Sequence, residues 1–143
     1  MRVLSSALAT AEIVALRAFL PRWFARQPLD ALLERLSASP LPGARSDLRR
    51  LVRDVARAEA LVERVTALPR TCLYRALARY AVLCAAGHSP TFFMGLPRSG
   101  EDSAGHAWVE VGGAAFAELE DVSRFKVTFR YPPPPNGGTL AEP

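Results

Sequence analysis

Residues 71–94 read TCLYRALARYAVLCAAGHSPTFFM, and within them the chain changes its grammar. Thr71 can accept hydrogen bonds from free backbone N–H groups and so open a helix, while Gly87 suits the left-handed residue that closes one. A helix is therefore expected from Thr71 to Gly87, with Cys72 in its first turn. After Pro90 the chain turns to short segments rich in aromatic and branched residues: Thr91 to Met94, His106 to Val111, Ala114 to Leu119, and Phe125 to Tyr131. These read as strands, joined by loops at Arg98 to Gly105 and at Gly112-Gly113.

Upstream of Thr71 the pattern is helical. Ile13, Leu16, Leu20, Trp23 and Phe24 recur at helical spacing, and Leu29, Leu32, Leu33 and Leu36 do so again after Pro28. Pro21 is expected to kink the first of these helices. Trp23 and Phe24 read as core, because a helical stripe needs no other explanation. Ser39-Pro40-Leu41-Pro42-Gly43 breaks the pattern. Ser46 or Asp47 can then cap a third helix carrying Leu48, Leu51, Val52, Val55, Val62 and Val65, which is expected to end near Leu68-Pro69. Helices first and strands afterwards argue for an α+β architecture, with a sheet packed on the Cys72 helix. Half of the 143 residues are hydrophobic, enough for one core. The division expected is one domain over 1–131, with a helical part at 1–68 and a catalytic helix and sheet at 69–131, followed by a Pro/Gly-rich tail at 132–143.

The net charge of +4 is unevenly placed: residues 1–70 hold 12 Arg against 7 acids, and the remainder is slightly acidic. The basic residues alternate with Glu and Asp, so they read as solvated helix faces rather than a nucleic-acid surface. Two cysteines, Cys72 and Cys84, are too few for a disulfide framework and fit a reducing cytoplasm. Residues 3–20 are apolar, but Glu12 and Arg17 interrupt them and no cleavage site follows. Export and membrane insertion are therefore not supported, although an amphipathic helix could still rest on a membrane.

A thiol attacks as its thiolate, and the first turn of a helix supplies the positive potential that a thiolate needs. Cys72 is so placed, and the N–H groups beside it could also stabilise an oxyanion. A side-chain donor for the same purpose could be a Gln, but the only one here, Gln27, lies far upstream. Two histidines are available as a base. His88 lies in a turn and reads as structural; His106 opens a strand and is the better candidate. A carboxylate should hold the imidazole. Glu118 and Glu120 are the candidates, ahead of Asp121, which begins the following turn. A three-residue loop Val111-Gly112-Gly113, or an equivalent bulge, is therefore expected, because it puts Glu118 on one face with His106, bonded to one ring nitrogen with Cys72 near the other. A two-residue Gly112-Gly113 turn would pair Ala107 with Glu118 and point the carboxylate away.

Thr71-Cys72-Leu73-Tyr74-Arg75-Ala76-Leu77-Ala78 resembles the cysteine motif of the lasso-peptide leader peptidases. Gly105-His106-Ala107-Trp108-Val109-Glu110-Val111 followed by Glu118 resembles their histidine motif. That family, of microcin-J-processing type, is the transglutaminase-like half of the lasso-peptide biosynthesis B protein, and the resemblance covers about residues 60–131. It implies a transglutaminase-like, papain-like fold with three to four antiparallel strands. It also implies a cysteine peptidase that removes the leader from a ribosomally made precursor through Cys72, His106 and Glu118. The third residue is commonly Asp in the family, and Glu118 stands in its place here. The implied partners are the precursor peptide, a separate leader-binding protein, since no fused one is expected, and a lasso cyclase. No cofactor or metal is implied.

Two other readings use the same residues. An acyltransferase, or a non-catalytic module that presents the precursor, would keep the fold and drop the proteolysis. A zinc module would use Cys72, Cys84, His88 and His106, but eleven residues separate the two cysteines, far from the two to four usual between paired zinc ligands.

Overall fold

The computed structural model describes residues 6–38, 47–65, 71–99 and 104–135. Four helices precede the sheet: α1 Ser6–Phe24, α2 Leu29–Ser37, α3 Leu48–Val65 and α4 Cys72–Ala85. The strands are β1 Thr91–Pro97, β2 His106–Val111, β3 Ala114–Ala115 and β4 Phe125–Tyr131, in the spatial order β3-β2-β1-β4 with every pairing antiparallel. This is an α+β fold in which α4 packs on the sheet.

The signals read from the sequence at helix ends operate as expected. Thr71 Oγ1 accepts from the Tyr74 N–H at 3.3 Å, and Asp47 Oδ1 accepts from the Arg49 N–H at 3.2 Å. Gly87, at φ 83°, closes α4: its N–H reaches Cys84 O and the His88 N–H reaches Leu83 O, each at 3.0 Å. These paired bonds form a Schellman cap, and they give His88 a structural task. Pro21 lies within α1. Ser39 to Ser46, Leu68-Pro69 and the residues after Pro135 lie outside the described residues, so the expected break, the end of α3 and most of the expected tail do too.

Ile13 and Leu20 of α1, Leu32 and Leu33 of α2, Leu51, Val55 and Val62 of α3, and Leu77 and Leu83 of α4 are buried together with Phe92, Ala107 and Val109 of the sheet. Ile13 and Leu20, in the apolar run near the N-terminus, are thus part of the core. Trp23 and Leu36 pack against that core as partly buried residues, whereas Phe24 is exposed and meets Tyr74 edge-on. No helix among the described residues is long and apolar enough to cross a membrane. The charges are not all solvated: Arg17, Asp54, Glu59 and Arg79 are buried. Helical spacing turns Glu59 of α3 and Arg79 of α4 toward each other, a fact that charge alternation alone does not reveal.

Two strand expectations need correction. β1 runs on to Pro97, because Gly95, Leu96 and Pro97 pair with Val127, Lys126 and Phe125 of β4. The segment expected as a strand from Ala114 to Leu119 is regular only at Ala114–Ala115. The loop before it is the two-residue turn, with Val111 paired to Ala114 and Glu110 to Ala115. Gly112 and Gly113 have φ of 61° and 80°, the positive values that a type I′ hairpin turn requires.

Candidate active site

Cys72 is the first residue of α4. Within the first turn Tyr74 N–H is bound by Thr71 Oγ1 and Arg75 N–H by Thr71 O. Helix geometry leaves the N–H groups of Cys72 and Leu73 without intrahelical acceptors, so the donors nearest the thiol point out of the helix end. Cys72 is half-buried, and its thiol lies 3.9 Å from the Gly105 carbonyl oxygen as a weak donor. That contact joins the helix end to the residue before His106.

His106 begins β2 and is buried, at 8% exposure. Alternation along β2 divides its side chains: Ala107 and Val109 enter the main core, whereas His106 and Trp108 stand on the other face. There the imidazole stacks on Trp108 (ring centroids 6.1 Å apart, planes 13° apart) and on Phe125 (5.1 Å, 26°). Gly95 of β1 is paired with His106 and separates it from β4 without a side chain. A Cβ at Gly95 would come within 2.8 Å of Lys126 O and 3.0 Å of Phe125 Cβ. The close approach of β4 to β1, and with it the stacking of Phe125 on His106, therefore depends on glycine here.

Glu118 reaches His106 by a route that strand register alone would forbid. With the two-residue turn, continued pairing would have turned Glu118 to the other face. Instead, Phe116 N–H makes one more bond to Val109 O at 2.8 Å, and the chain then leaves the sheet at Ala117, which has φ 51°. A non-glycine residue in that region is strained. The break does the work expected of a bulge and returns the carboxylate to the imidazole: Glu118 Oε2 lies 3.3 Å from His106 Nε2. The two are within ion-pair range, but not aligned as a hydrogen bond. Glu118 Oε1 accepts from the N–H groups of Leu119 (3.1 Å) and Glu120 (3.2 Å), so its own backbone holds the carboxylate in place. Its side chain is only 5% exposed. Glu120 and Asp121 are exposed; Asp121 instead caps the 3-10 turn Val122–Arg124 and accepts from Ser123 N–H and Oγ.

A buried arginine that sequence reasoning missed also enters the site. Arg79 stands two turns after Cys72 on α4 and is 5% exposed. Its Nε and NH2 bind the two oxygens of Glu59 on α3 at 2.8 and 2.7 Å, the forked geometry of a strong charge-assisted pair. Its NH1 lies 3.5 Å from both Phe116 O and Glu118 Oε2. Removing one partner from such a buried pair strands the other charge, at a cost of roughly 3–5 kcal/mol. The available signal was a single charge inside the otherwise apolar run Ala76-Leu77-Ala78-Arg79-Tyr80-Ala81.

Cys84, at the other end of α4, is buried away from His106 among core residues, and burial pushes its thiol up to about 11, partly offset by a hydrogen bond with Tyr80. Among the described residues no group of three or more His, Cys, Asp and Glu is arranged to hold a metal ion.

A family model described as the transglutaminase-like superfamily matches residues 13–130. The chain belongs to that superfamily, whose chemistry is generally that of a cysteine peptidase or acyltransferase. No curated protein and no solved structure gives a significant match.

Proposed function

We propose that this protein is a cysteine peptidase that removes the leader from a ribosomally made lasso-peptide precursor. Cys72 acts as nucleophile, His106 as base and Glu118 as the carboxylate that orients the base. The observation that carries this reading is the convergence of a half-buried thiol at a helix N-terminus, a strand histidine beginning one residue after the carbonyl that the thiol touches, and a buried carboxylate 3.3 Å from Nε2 of that histidine. Glu118 faces Nε2, which leaves Nδ1 as the ring nitrogen to exchange a proton with Cys72.

In the reaction proposed, His106 takes the thiol proton and the Cys72 thiolate attacks the carbonyl at the end of the leader. The N–H groups of Cys72 and Leu73 face the oxyanion. Collapse breaks the peptide bond, His106 gives its proton to the leaving core-peptide amine, and the leader remains as a thioester on Cys72. Water, deprotonated by His106, then hydrolyses the thioester and restores the thiol. The motif resemblance supports a lasso precursor as substrate, with a separate leader-binding protein and a cyclase as partners, and the scarcity of cysteine supports the cytoplasm as the setting.

The test is to incubate the protein, the leader-binding protein and the precursor in water enriched in heavy oxygen and to weigh the products. Hydrolysis yields intact core peptide and a leader whose new carboxylate carries one heavy oxygen. A leader joined to an amine would instead establish an acyltransferase, and an uncut precursor would favour a presenting module.

A further inference from the structure

The function proposed above employs Glu118, but Glu118 is not held by its backbone alone. Its Oε2 is shared between His106 Nε2 at 3.3 Å and Arg79 NH1 at 3.5 Å. A buried arginine next to the carboxylate of a catalytic pair raises a difficulty. Left to itself, Arg79 would bind Glu118 with both arms of its fork, the arrangement guanidinium groups prefer. The carboxylate would then turn away from the imidazole, and the positive charge would oppose protonation of His106. In the structure the fork is already taken: Nε and NH2 both face Glu59, and only NH1 extends to Glu118.

We propose that Glu59 and Arg79 are a positioning pair for this site, in which Glu59 occupies the arginine fork and balances its charge so that Glu118 stays aimed at protonated His106. This inference rests on the peptidase reading and adds two residues to it, neither of which touches the reacting atoms.

The other charges around the pair do not remove the need for Glu59. Arg17 of α1 is buried and lies within electrostatic reach of Glu59, Glu63, Arg75 and Arg79. Burial lowers its affinity for a proton and Glu59 restores part of it. Arg75 of α4 faces Glu63 of α3 at 4.0 Å, and that pair is partly solvated and self-compensating. The buried charges are then Arg17 and Arg79 against Glu59 and Glu118. Neutralising Glu59 leaves Arg79 with Glu118 as its carboxylate partner, and an imidazolium at His106 would put a second cation on the same oxygen. Cys72, two helical turns from Arg79, feels this change less than His106 does, because His106 touches Glu118. The net effect is to disfavour the thiolate–imidazolium pair.

The experiment follows alkylation of Cys72 by iodoacetamide across pH, read by mass spectrometry of the Cys72 peptide, because only the thiolate reacts and no peptide substrate is needed. In the wild type, Cys72 is expected to be alkylated readily at pH 6. Glu59→Gln is expected to lower the rate near pH 6 by about tenfold, while leaving the limiting rate at high pH unchanged. The double variant Glu59→Gln with Arg79→Met removes both charges and is expected to recover the wild-type profile, with melting curves taken by circular dichroism on each protein. In cleavage assays kcat should fall for the single variant, with KM little changed, and return in the double. Recovery is a readout that a merely structural role for the pair would not give. If Glu59→Gln is too unstable to assay, the double variant alone must match wild type. An ordinary thiol profile in the wild type would overturn this proposal together with the peptidase reading. A low-pH profile that Glu59→Gln leaves in place, or a folded double variant that does not recover it, would overturn the positioning role alone.

Discussion

The two cysteines lie on one helix and could hardly be placed more differently. Cys72 opens α4, half-buried, against the carbonyl before His106, with helix N–H groups that lack intrahelical acceptors beside it. Cys84 sits in the last turn, buried between Tyr80 and the Schellman cap, and its thiol is pushed up to about 11. The residue type is the same and the helix is the same. What differs is which end of the helix dipole the sulfur meets and whether water or core surrounds it. In the proposed reading the cysteine at the helix start is the nucleophile, whereas the one at the helix end inside the core is a small apolar side chain.

The largest effect expected to sharpen this contrast is on cleavage. Cys72→Ala and Cys72→Ser should abolish leader removal with the melting temperature little changed, whereas Cys84→Ala should stay active and lose only about 1 kcal/mol of stability, the worth of a small buried group. Equal cleavage by wild type and both Cys72 variants would erase the distinction. Next in size, His106→Ala should slow turnover by roughly 10²–10⁴-fold, the usual contribution of a positioned base. Glu118→Gln should slow it less and Glu118→Asp least, because Glu118 acts through the imidazole. A still smaller loss is expected from Gly95→Ala. Its methyl group would press on Lys126 O at 2.8 Å and move Phe125 off His106, destabilising the fold by about 1–3 kcal/mol. Thermal melts and cleavage rates measured together would separate the two consequences.

The smallest effect concerns alkaline pH. Cys84 titrates at about 11 in the folded protein against 9.0 for the free side chain. The folded state therefore keeps a proton that the unfolded state gives up. The stability from this group is complete below the unfolded value and is lost as pH rises through the folded one. Tyr80, also raised by burial, acts in the same direction. Unfolding midpoints should thus decline from about pH 9 to pH 11, and Cys84→Ala should make the decline shallower. An unchanged slope would mean that the Cys84 thiol is not protected as its burial indicates.

What could be read from the sequence was what is local. Thr71, Asp47 and Gly87 act on backbone groups within a few residues, so the start and stop of α4 and the place of Cys72 were visible, and the change of period after Pro90 gave the α+β architecture. The length of the hairpin loop, though not the need for a break in register, was misjudged for an instructive reason. The two-residue Gly112-Gly113 turn satisfies a local rule, and a longer loop was expected only because the site needed Glu118 near His106. The local rule won. The need was met three residues beyond the sheet contact at Val111–Ala114, by a positive φ at Ala117, and alanine in that conformation carries no mark in the sequence. The Arg79–Glu59 pair was hidden for a different reason: its members are twenty residues apart on two helices, α3 is rich in Arg and Glu, and only packing selects which of its charges meets Arg79.

The measurement closest to the central claim is to mix wild-type protein, leader-binding protein and precursor, quench in acid within the first turnovers, and map the peptides by mass. The leader should be found as a thioester on Cys72 and nowhere else, with free core peptide released in equal amount, and Glu118→Gln should form the adduct more slowly. Core peptide released while Cys72 carries no adduct in wild type, together with full cleavage by Cys72→Ala, would contradict the account.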